Sequence, residues 1–344
     1  MKKLSPEQRL YYLRIAEKRE RKVQRKNRQK RWKRKSPKSG RQYLLMEAPS
    51  RISVTEERAR VFLLRFLTDL RQAATRGGRI TICFKDTEAM VSSGALLLKA
   101  EIHRLIRLFP STQFRCLPPK SNRIKQVLSQ IEIFKLLKCK CELPLTREDV
   151  IHWKTAHGNL VEGEKFDLIL GAYDGALAEP VSAGLYSGIT EAMANSVDHA
   201  YIMPRKDGLD ISSNVNDWWM FSQKKDGKLN VVFCDLGVGI PATISHTRPD
   251  MWDRIKRFVN LSSDSEVIHF ATGSGKSRTG KGYRGKGLPQ LVAEIRKIRG
   301  GVLWIMSNYG TLLTTADGDQ RIDHKTSILG TVLAWEVPLS EDRG

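Results

Sequence analysis

The residue types best suited to chemistry occur first at Glu191 and Asn195, four positions apart in a stretch with the apolar periodicity of a helix. In a helix both side chains would lie on one face, one turn apart. A carboxylate beside an amide could polarise a water molecule, and the amide oxygen is a ligand that hard cations accept. Asp198 and His199 follow, and we expect His199 at the helix surface or at a pocket edge. Glu and Asn at this spacing are common, so the pair indicates a site only together with other motifs.

A second candidate is the carboxylate of Asp235, which follows an apolar run at 231–234. Four consecutive apolar residues predict a buried strand, and the aspartate would stand where that strand ends. Gly237 and Gly239 predict a tight turn through which the backbone could approach a flat ligand. There the carboxylate could accept a hydrogen bond from the amino group of adenine. The alternative to a ligand site is an ordinary strand that is followed by a tight turn.

The third candidate is a glycine-rich segment that opens a predicted helix over 289–299. Glycines at a helix start expose backbone N–H groups to a phosphate, and the helix dipole favours the anion. The run at 273–277 lacks the first glycine of a P-loop, and no apolar strand precedes it, so we exclude that motif. The residues that we predict to contact the ligand are Lys281, Gly282, Gly285, Lys286, Gly287 and Leu288.

In this order, Glu-x-x-x-Asn, Asp-x-Gly-x-Gly and Gly-x-Gly-Leu, the motifs resemble those of the GHKL ATPase superfamily. That group includes the gyrase B subunit, the ninety-kilodalton heat-shock chaperones, histidine kinases and the MutL proteins. A closing segment at 329–338, which contains Thr331, is similar to the last strand of the superfamily. The resemblance covers residues 150–340 and implies a Bergerat-fold ATP-binding domain, an α/β sandwich in which a mixed sheet carries helices on one face. A turn at 226–227 between two apolar runs fits a hairpin of that sheet.

The resemblance also implies the ligands, ATP and Mg²⁺, and a role for each matching residue. Glu191 would be the general base for water, Asn195 would bind Mg²⁺, and Asp235 would bind adenine. The other implied nucleotide contacts are Asp198, Gly237, Gly239, Thr331 and the glycine-rich segment around Gly285 and Gly287.

The residues after Asn195 favour hydrolysis over histidine autophosphorylation. Histidine kinases usually carry Lys or Arg where Asp198 stands, whereas gyrase and MutL proteins have Asn-Ser-x-Asp. His103 is followed by Arg104 rather than by the glutamate of a kinase dimerisation helix. Gyrase and MutL proteins need a further domain that delivers a lysine to the γ-phosphate, but only a few residues follow Pro338. We therefore expect that positive charge to come from the glycine-rich segment or from a partner subunit, or to be missing. Slow turnover, or a switch in which ATP orders the segment 262–284, is therefore the expectation.

A small α/β unit is predicted over 50–145, from helices at 56–75, 95–108 and 121–137 and strands at 79–84 and 113–117. A strand, then Asp86, then Ser92-Ser93-Gly94 opening an apolar helix resembles the STAS domain of anti-sigma factor antagonists. In that family the serine before the glycine can be phosphorylated, and Ser93 would take its place. The other interpretation is that Ser92 and Ser93 only cap the amino terminus of this helix.

Two further functions remain open from the sequence. One is a protein serine kinase of the anti-sigma-factor type, fused to the STAS-like domain. The other is a non-catalytic regulator that binds nucleic acid and takes ATP only as an allosteric ligand.

The basic character of the chain is concentrated in a tail over 1–45. The whole chain carries +22, and residues 1–41 hold 18 Lys and Arg side chains against 3 Glu, a net +15. Such a block predicts an extension that is partly helical or disordered. Nucleic acid, an acidic protein or anionic lipid could bind it, and a solvated tail is the alternative.

The remaining features exclude classes of protein. No apolar stretch is long enough for a membrane helix, and the basic N-terminus lacks the apolar core of a secretory signal. The 5 scattered cysteines indicate reduced thiols rather than a disulfide framework. We therefore expect a cytoplasmic protein, and a homodimer is possible by the same resemblance.

Overall fold

The structure is a computed structural model that describes residues 43–141, 146, 153–173, 177, 179–209, 216–247, 249–258, 263–273 and 287–339. Within these ranges the chain is a mixed α/β protein, which confirms the predicted class at that level. Residues 1–42 of the basic tail and residues 280–286 of the glycine-rich segment lie outside the described residues, so the interpretations of both stay predictions. The tail was expected to extend to residue 45, but Tyr43, Leu44 and Leu45 already belong to a strand, Tyr43–Glu47. No described helix is long and apolar enough to cross a membrane.

The amino-terminal part, residues 43–141, is built on a parallel sheet with the strand order β1-β3-β5. Two helices connect its strands, as the alternation of elements predicted. A second, two-stranded parallel pair, β2 with β4, was not predicted. The elements are β1 (Tyr43–Glu47), β2 (Arg51–Ile52), α1 (Glu57–Arg76), β3 (Arg79–Cys83), β4 (Ala89–Met90), α2 (Ser92–Leu108), β5 (Gln113–Leu117), α3 (Asn122–Gln130) and α4 (Ile133–Leu136).

The helix predicted over 121–137 is two helices, because the chain turns at Glu132 with φ of 59°. Ile131 and Ile133 are both buried. Residues two apart on one continuous helix face nearly opposite sides, so a break is needed to bury both. Ser121 caps the first of the two helices, accepting a hydrogen bond from the N–H of Ile124.

The serine pair does not cap α2, so that interpretation is wrong. Val91 holds the cap position with extended backbone, and its apolar side chain makes no capping hydrogen bond. Gly94 packs against the backbone of Ser53, which presses the first turn of the helix onto β2. Ser92 donates to the Asn230 amide oxygen at 3.0 Å, whereas the Ser93 hydroxyl has no partner among the described residues.

The carboxy-terminal part, residues 153–339, contains a seven-stranded sheet with the order β11-β10-β9-β12-β8-β7-β6. Its strands are β6 (Lys154–Gly158), β7 (Trp218–Lys225), β8 (Lys228–Asp235), β9 (Val302–Ser307), β10 (Gly310–Thr315), β11 (Gly318–Asp323) and β12 (Thr331–Pro338). The predicted hairpin of β7 and β8 around Asp226 and Gly227 is confirmed.

Every described pairing in this sheet is antiparallel, so the expectation of a mixed sheet is not met. Short turns join three of the pairs and force opposite directions. The long connection from β8 to β9 brings these two strands into the sheet in the same direction. β12 separates them and runs opposite to both.

The helices of the carboxy-terminal part are α5 (Glu164–Leu170), α6 (Glu179–Asn195), α7 (Ile240–Thr247), α8 (Pro249–Phe258), α9 (Asp264–Gly273) and α10 (Gly287–Lys297). α6 and α10 pack on one face of the sheet, where Val231, Phe233 and Leu333 enter their hydrophobic cluster. α2 packs on the opposite face, where Val232 and Cys234 enter a second cluster. The helices of the carboxy-terminal part that pack on the sheet therefore lie on one face, as expected, and α2 of the amino-terminal part covers the other face. Burial on both faces explains why the whole run 231–234 is apolar.

Candidate functional site

Residues from four separate motifs line one open cleft above the ends of β8 and β12. The cleft encloses about 890 Å³, including the part that is open to solvent. α6, α7 and α10 form its walls. The predicted site residues that line it are Glu191, Asn195, Asp235, Gly239, Leu288 and Thr331. Local sequence patterns could not predict that these residues meet in one cleft, because their meeting depends on the order of the strands in the sheet.

Glu191 and Asn195 occupy the carboxyl end of α6 on the face toward the cleft, as their spacing predicted. The Asn195 amide nitrogen donates to the Glu191 carboxylate at 3.2 Å. This bond orients both groups and uses the nitrogen, so the amide oxygen is the atom that could serve a cation. After Asn195 the helix widens into a π-helical turn, Ser196–Ala200.

Asp235 is the last residue of β8, and its side chain is 6% exposed. The backbone N–H of Gly237 donates to the carboxylate at 2.9 Å. Thr331 on β12 is the residue paired with Asp235 in the sheet. Burial raises the pKa of Asp235 to about 6, while hydrogen bonds from Gly237 and Thr331 and the charge of Arg205 act in the opposite direction. At neutral pH the group is therefore an ionised, buried acceptor.

The two glycines after Asp235 shape the cleft in different ways. A Cβ on Gly237 would overlap the carbonyl oxygen of Ala200, to which the next N–H, that of Val238, donates at 2.7 Å. Gly237 thus lets the loop lie directly on the end of the π-helical turn. Gly239 has φ of +84° and lines the cleft, with the side chain of Asn308 behind it.

Gly237→Ala is expected to lower the free energy of unfolding by about 2–3 kcal/mol, since a methyl group has no room there. Urea denaturation followed by circular dichroism measures the loss. Gly163→Ala is the control, because a Cβ at Gly163 meets nothing within 4 Å. Equal stability of the two variants would contradict the described packing on Ala200.

The rest of the cleft combines an apolar wall with a small number of polar groups. The apolar lining is suited to a flat, uncharged ring. It includes Ala192, Phe233, Ile240, Ile244 and Leu333. His199 also lines the cleft, as expected of a residue at a pocket edge.

The sequence did not single out several residues that hold the cleft together. Ser307 accepts a hydrogen bond from the N–H of Ile240 at 2.8 Å and lies 3.3 Å from the Thr331 hydroxyl. Asn308 follows it with φ of 50°, in the turn between β9 and β10. Asn-Tyr-Gly is a recognisable turn sequence, but nothing in it indicates a contact with the loop after β8.

Some predicted site residues are not brought to the cleft. Asp198 is exposed and does not line it. Gly237 lies behind the cleft wall. Gly287 begins α10, whose next residue, Leu288, lines the cleft. Four of the predicted contacts lie outside the described residues: Lys281, Gly282, Gly285 and Lys286.

Within the described ranges, no group of three or more His, Cys, Asp or Glu side chains could hold a metal ion. The cleft offers instead the amide oxygen of Asn195 and the carboxylate of Glu191. Oxygen donors of this kind suit Mg²⁺, which usually takes one or two protein ligands and completes its shell with water and substrate phosphates. The donor set therefore fits Mg²⁺ that arrives with a phosphorylated ligand.

No model of a known protein family matches the chain, and a search of curated proteins finds no match.

Proposed function

We propose that this chain binds ATP with Mg²⁺ in the cleft beside Asp235 and hydrolyses it slowly, as a nucleotide-driven switch of the GHKL type. The observation that carries the proposal is the convergence of Glu191, Asn195, Asp235 and Thr331 on one cleft. The described sheet is antiparallel rather than mixed, so the support for ATP binding is the lining of the cleft and not the topology of the sheet. The process would be regulatory or associated with nucleic acid, with the basic tail as the contact for nucleic acid or an acidic protein.

The adenine ring would lie against the apolar wall, with its amino group toward Asp235. An ionised carboxylate at the end of β8 can accept that hydrogen bond, and its burial makes the bond stronger than it would be in water. Thr331 is the polar neighbour at the same edge. The apolar wall could pack against the adenine ring at the Asp235 end of the cleft. The phosphates would then lie near the carboxyl end of α6, beside Glu191 and Asn195.

Glu191 is the group that could activate water. Its carboxylate would accept a proton from the attacking water, whose oxygen forms a bond to the γ-phosphorus as the bond to the bridging oxygen of ADP breaks. Asn195 holds the carboxylate in place through the 3.2 Å hydrogen bond and offers its amide oxygen to Mg²⁺. Bound Mg²⁺ would supply neutralisation of the phosphate charge.

Phosphorylation of Ser93, the serine-kinase alternative, is not favoured by the position of this residue. Ser93 is 2% exposed in the first turn of α2, which packs on the seven-stranded sheet. Transfer of a phosphate to its hydroxyl would require that helix to open.

Incubation with γ-labelled ATP and Mg²⁺ tests the proposed reaction. Free labelled phosphate, with the protein unlabelled, is the expected result. Label on a serine of the protein would replace hydrolysis by the kinase alternative. ATP binding without either product would leave a nucleotide switch and would contradict hydrolysis by the isolated chain.

The affinity for adenosine is expected to fall by up to about tenfold from pH 8 to pH 5, since ionised Asp235 accepts the amino proton more strongly than the protonated acid does. Adenosine is used because the phosphates of ATP also titrate. Burial raises the pKa of Asp235 in the folded state from 3.8 to about 6. The contribution of Asp235 to the stability of the ligand-free fold is therefore greatest below pH 3.8 and is lost as the pH rises through about 6. Binding and stability should therefore change with pH in opposite directions. Asp235→Asn, measured by calorimetry over the same range, should show neither change.

A further inference from the structure

Arg60 of α1 is a fully buried arginine that connects the amino-terminal part to the turn between β9 and β10. Its side chain is 0% exposed. The guanidinium donates to the carbonyl oxygens of Asn308 at 3.1 Å, Thr326 at 3.2 Å and Val54 at 3.1 Å. In the part of the chain that the structure describes, no carboxylate forms an ion pair with it.

A buried guanidinium that is held only by carbonyl groups is an expensive choice for a core position. Arg71 on the same helix has the carboxylate of Glu101 at 2.8 Å. An apolar side chain of similar length would fill the site of Arg60 without the desolvation cost. What the arginine adds is directed hydrogen bonds, one of them to the Asn308 turn and the others to Thr326 and Val54.

Asn308 in turn holds two loops on either side of Asp235. Its amide nitrogen donates to the carbonyl oxygen of Val238 at 2.8 Å, in the loop after β8. Its amide oxygen accepts from the N–H of Gly330 at 3.3 Å, in the loop before β12. Ile328 donates at 3.0 Å to the same Asn308 carbonyl oxygen that Arg60 binds.

The loop before β12 has a second buried contact with the same side of the molecule. Arg205 donates to the carbonyl oxygen of Leu329 at 2.6 Å. The same guanidinium pairs with Glu101 of α2, which is 1% exposed, at 2.5 Å. A Cβ on Gly330 would overlap the carbonyl oxygen of Asp235, so this loop lies directly on the adenine end of the cleft.

We propose that Arg60 is a positioning residue for nucleotide binding: through Asn308 it holds the Val238 and Gly330 loops, and thereby the Asp235–Thr331 edge of the cleft. The inference rests on the proposed function. It makes the amino-terminal part a structural component of the nucleotide site, although none of its described residues lines the cleft.

Arg60→Met tests the inference, because methionine removes every donor and keeps an unbranched apolar chain. Asn308→Gly is the second variant: it removes the side-chain bonds to both loops and suits the φ of 50°. Leu67→Ala is the matched control, a 1% exposed core residue on α1 without polar contacts. All four proteins are compared well below their unfolding temperatures.

The first readout is hydrogen exchange of the ligand-free proteins. Faster exchange in 236–239 and 328–331 is expected for Arg60→Met and Asn308→Gly, but not for Leu67→Ala. The second readout is calorimetric affinity for ATP and GTP. The two loop variants should lose about tenfold in affinity for ATP, and with it their preference for ATP over GTP.

The outcomes separate the two proposals. Unchanged loop exchange in both variants, or the same loss of affinity in Leu67→Ala, would overturn the role of Arg60 and leave the proposed function standing. Wild-type protein that binds no ATP would overturn the proposed function, whatever the exchange shows.

Discussion

Glu191→Gln is expected to slow phosphate release by about 10²–10⁴-fold, the usual contribution of a general base, while the affinity for ATP stays within about threefold. Glutamine cannot take the proton from water at neutral pH. Its amide oxygen can still accept the hydrogen bond from Asn195, so the end of α6 keeps its geometry. Single-turnover phosphate release and calorimetric titration measure the two effects separately.

Glu294→Gln is the matched control for this substitution. Glu294 lies on α10, is paired with Lys297 at 2.8 Å and does not line the cleft. Its loss should leave both quantities unchanged. Phosphate release by Glu191→Gln at the wild-type rate would exclude Glu191 as the base.

Asp235→Asn is expected to raise the dissociation constant for ATP about 10- to 100-fold, the value of one hydrogen bond to a charged group. The amide can still accept from the N–H of Gly237. Burial raises the pKa of Asp235 to about 6, so at pH 8 the wild-type fold holds a buried charge that the variant lacks. The ligand-free variant should therefore be at least as stable as wild type at pH 8 while it binds ATP more weakly.

Calorimetry and urea denaturation at pH 8 give the two values. Asp264→Asn is the control, since burial also raises the pKa of Asp264 and a backbone N–H donates to it, but it lies outside the cleft. A variant of Asp235 that loses stability and affinity together would indicate a structural role. Unchanged affinity would remove Asp235 from adenine recognition.

The parts of the site that local patterns control could be predicted from the sequence. Glu191 and Asn195 share a helix face because they are four apart, and Asp235 ends a strand because four apolar residues precede it and two glycines follow. The hairpin of β7 and β8 follows from the Asp226-Gly227 turn in the same way.

The parts that depend on distant segments could not be predicted. The placement of β12 between β8 and β9 makes the sheet antiparallel and puts Thr331 beside Asp235. The apolar run 231–234 indicated a buried strand, but not that α2 would cover one of its faces. Arg60 and Asn308 carry no local signal of their contact, because the residues are far apart in the chain.

Titration of the wild-type protein with ATP and Mg²⁺ in a calorimeter tests the central claim most directly. Saturable binding of one ATP per chain, with GTP binding more weakly, is the predicted result. Absence of binding at millimolar ATP, or equal affinity for ATP and GTP, would contradict an adenine nucleotide site at Asp235.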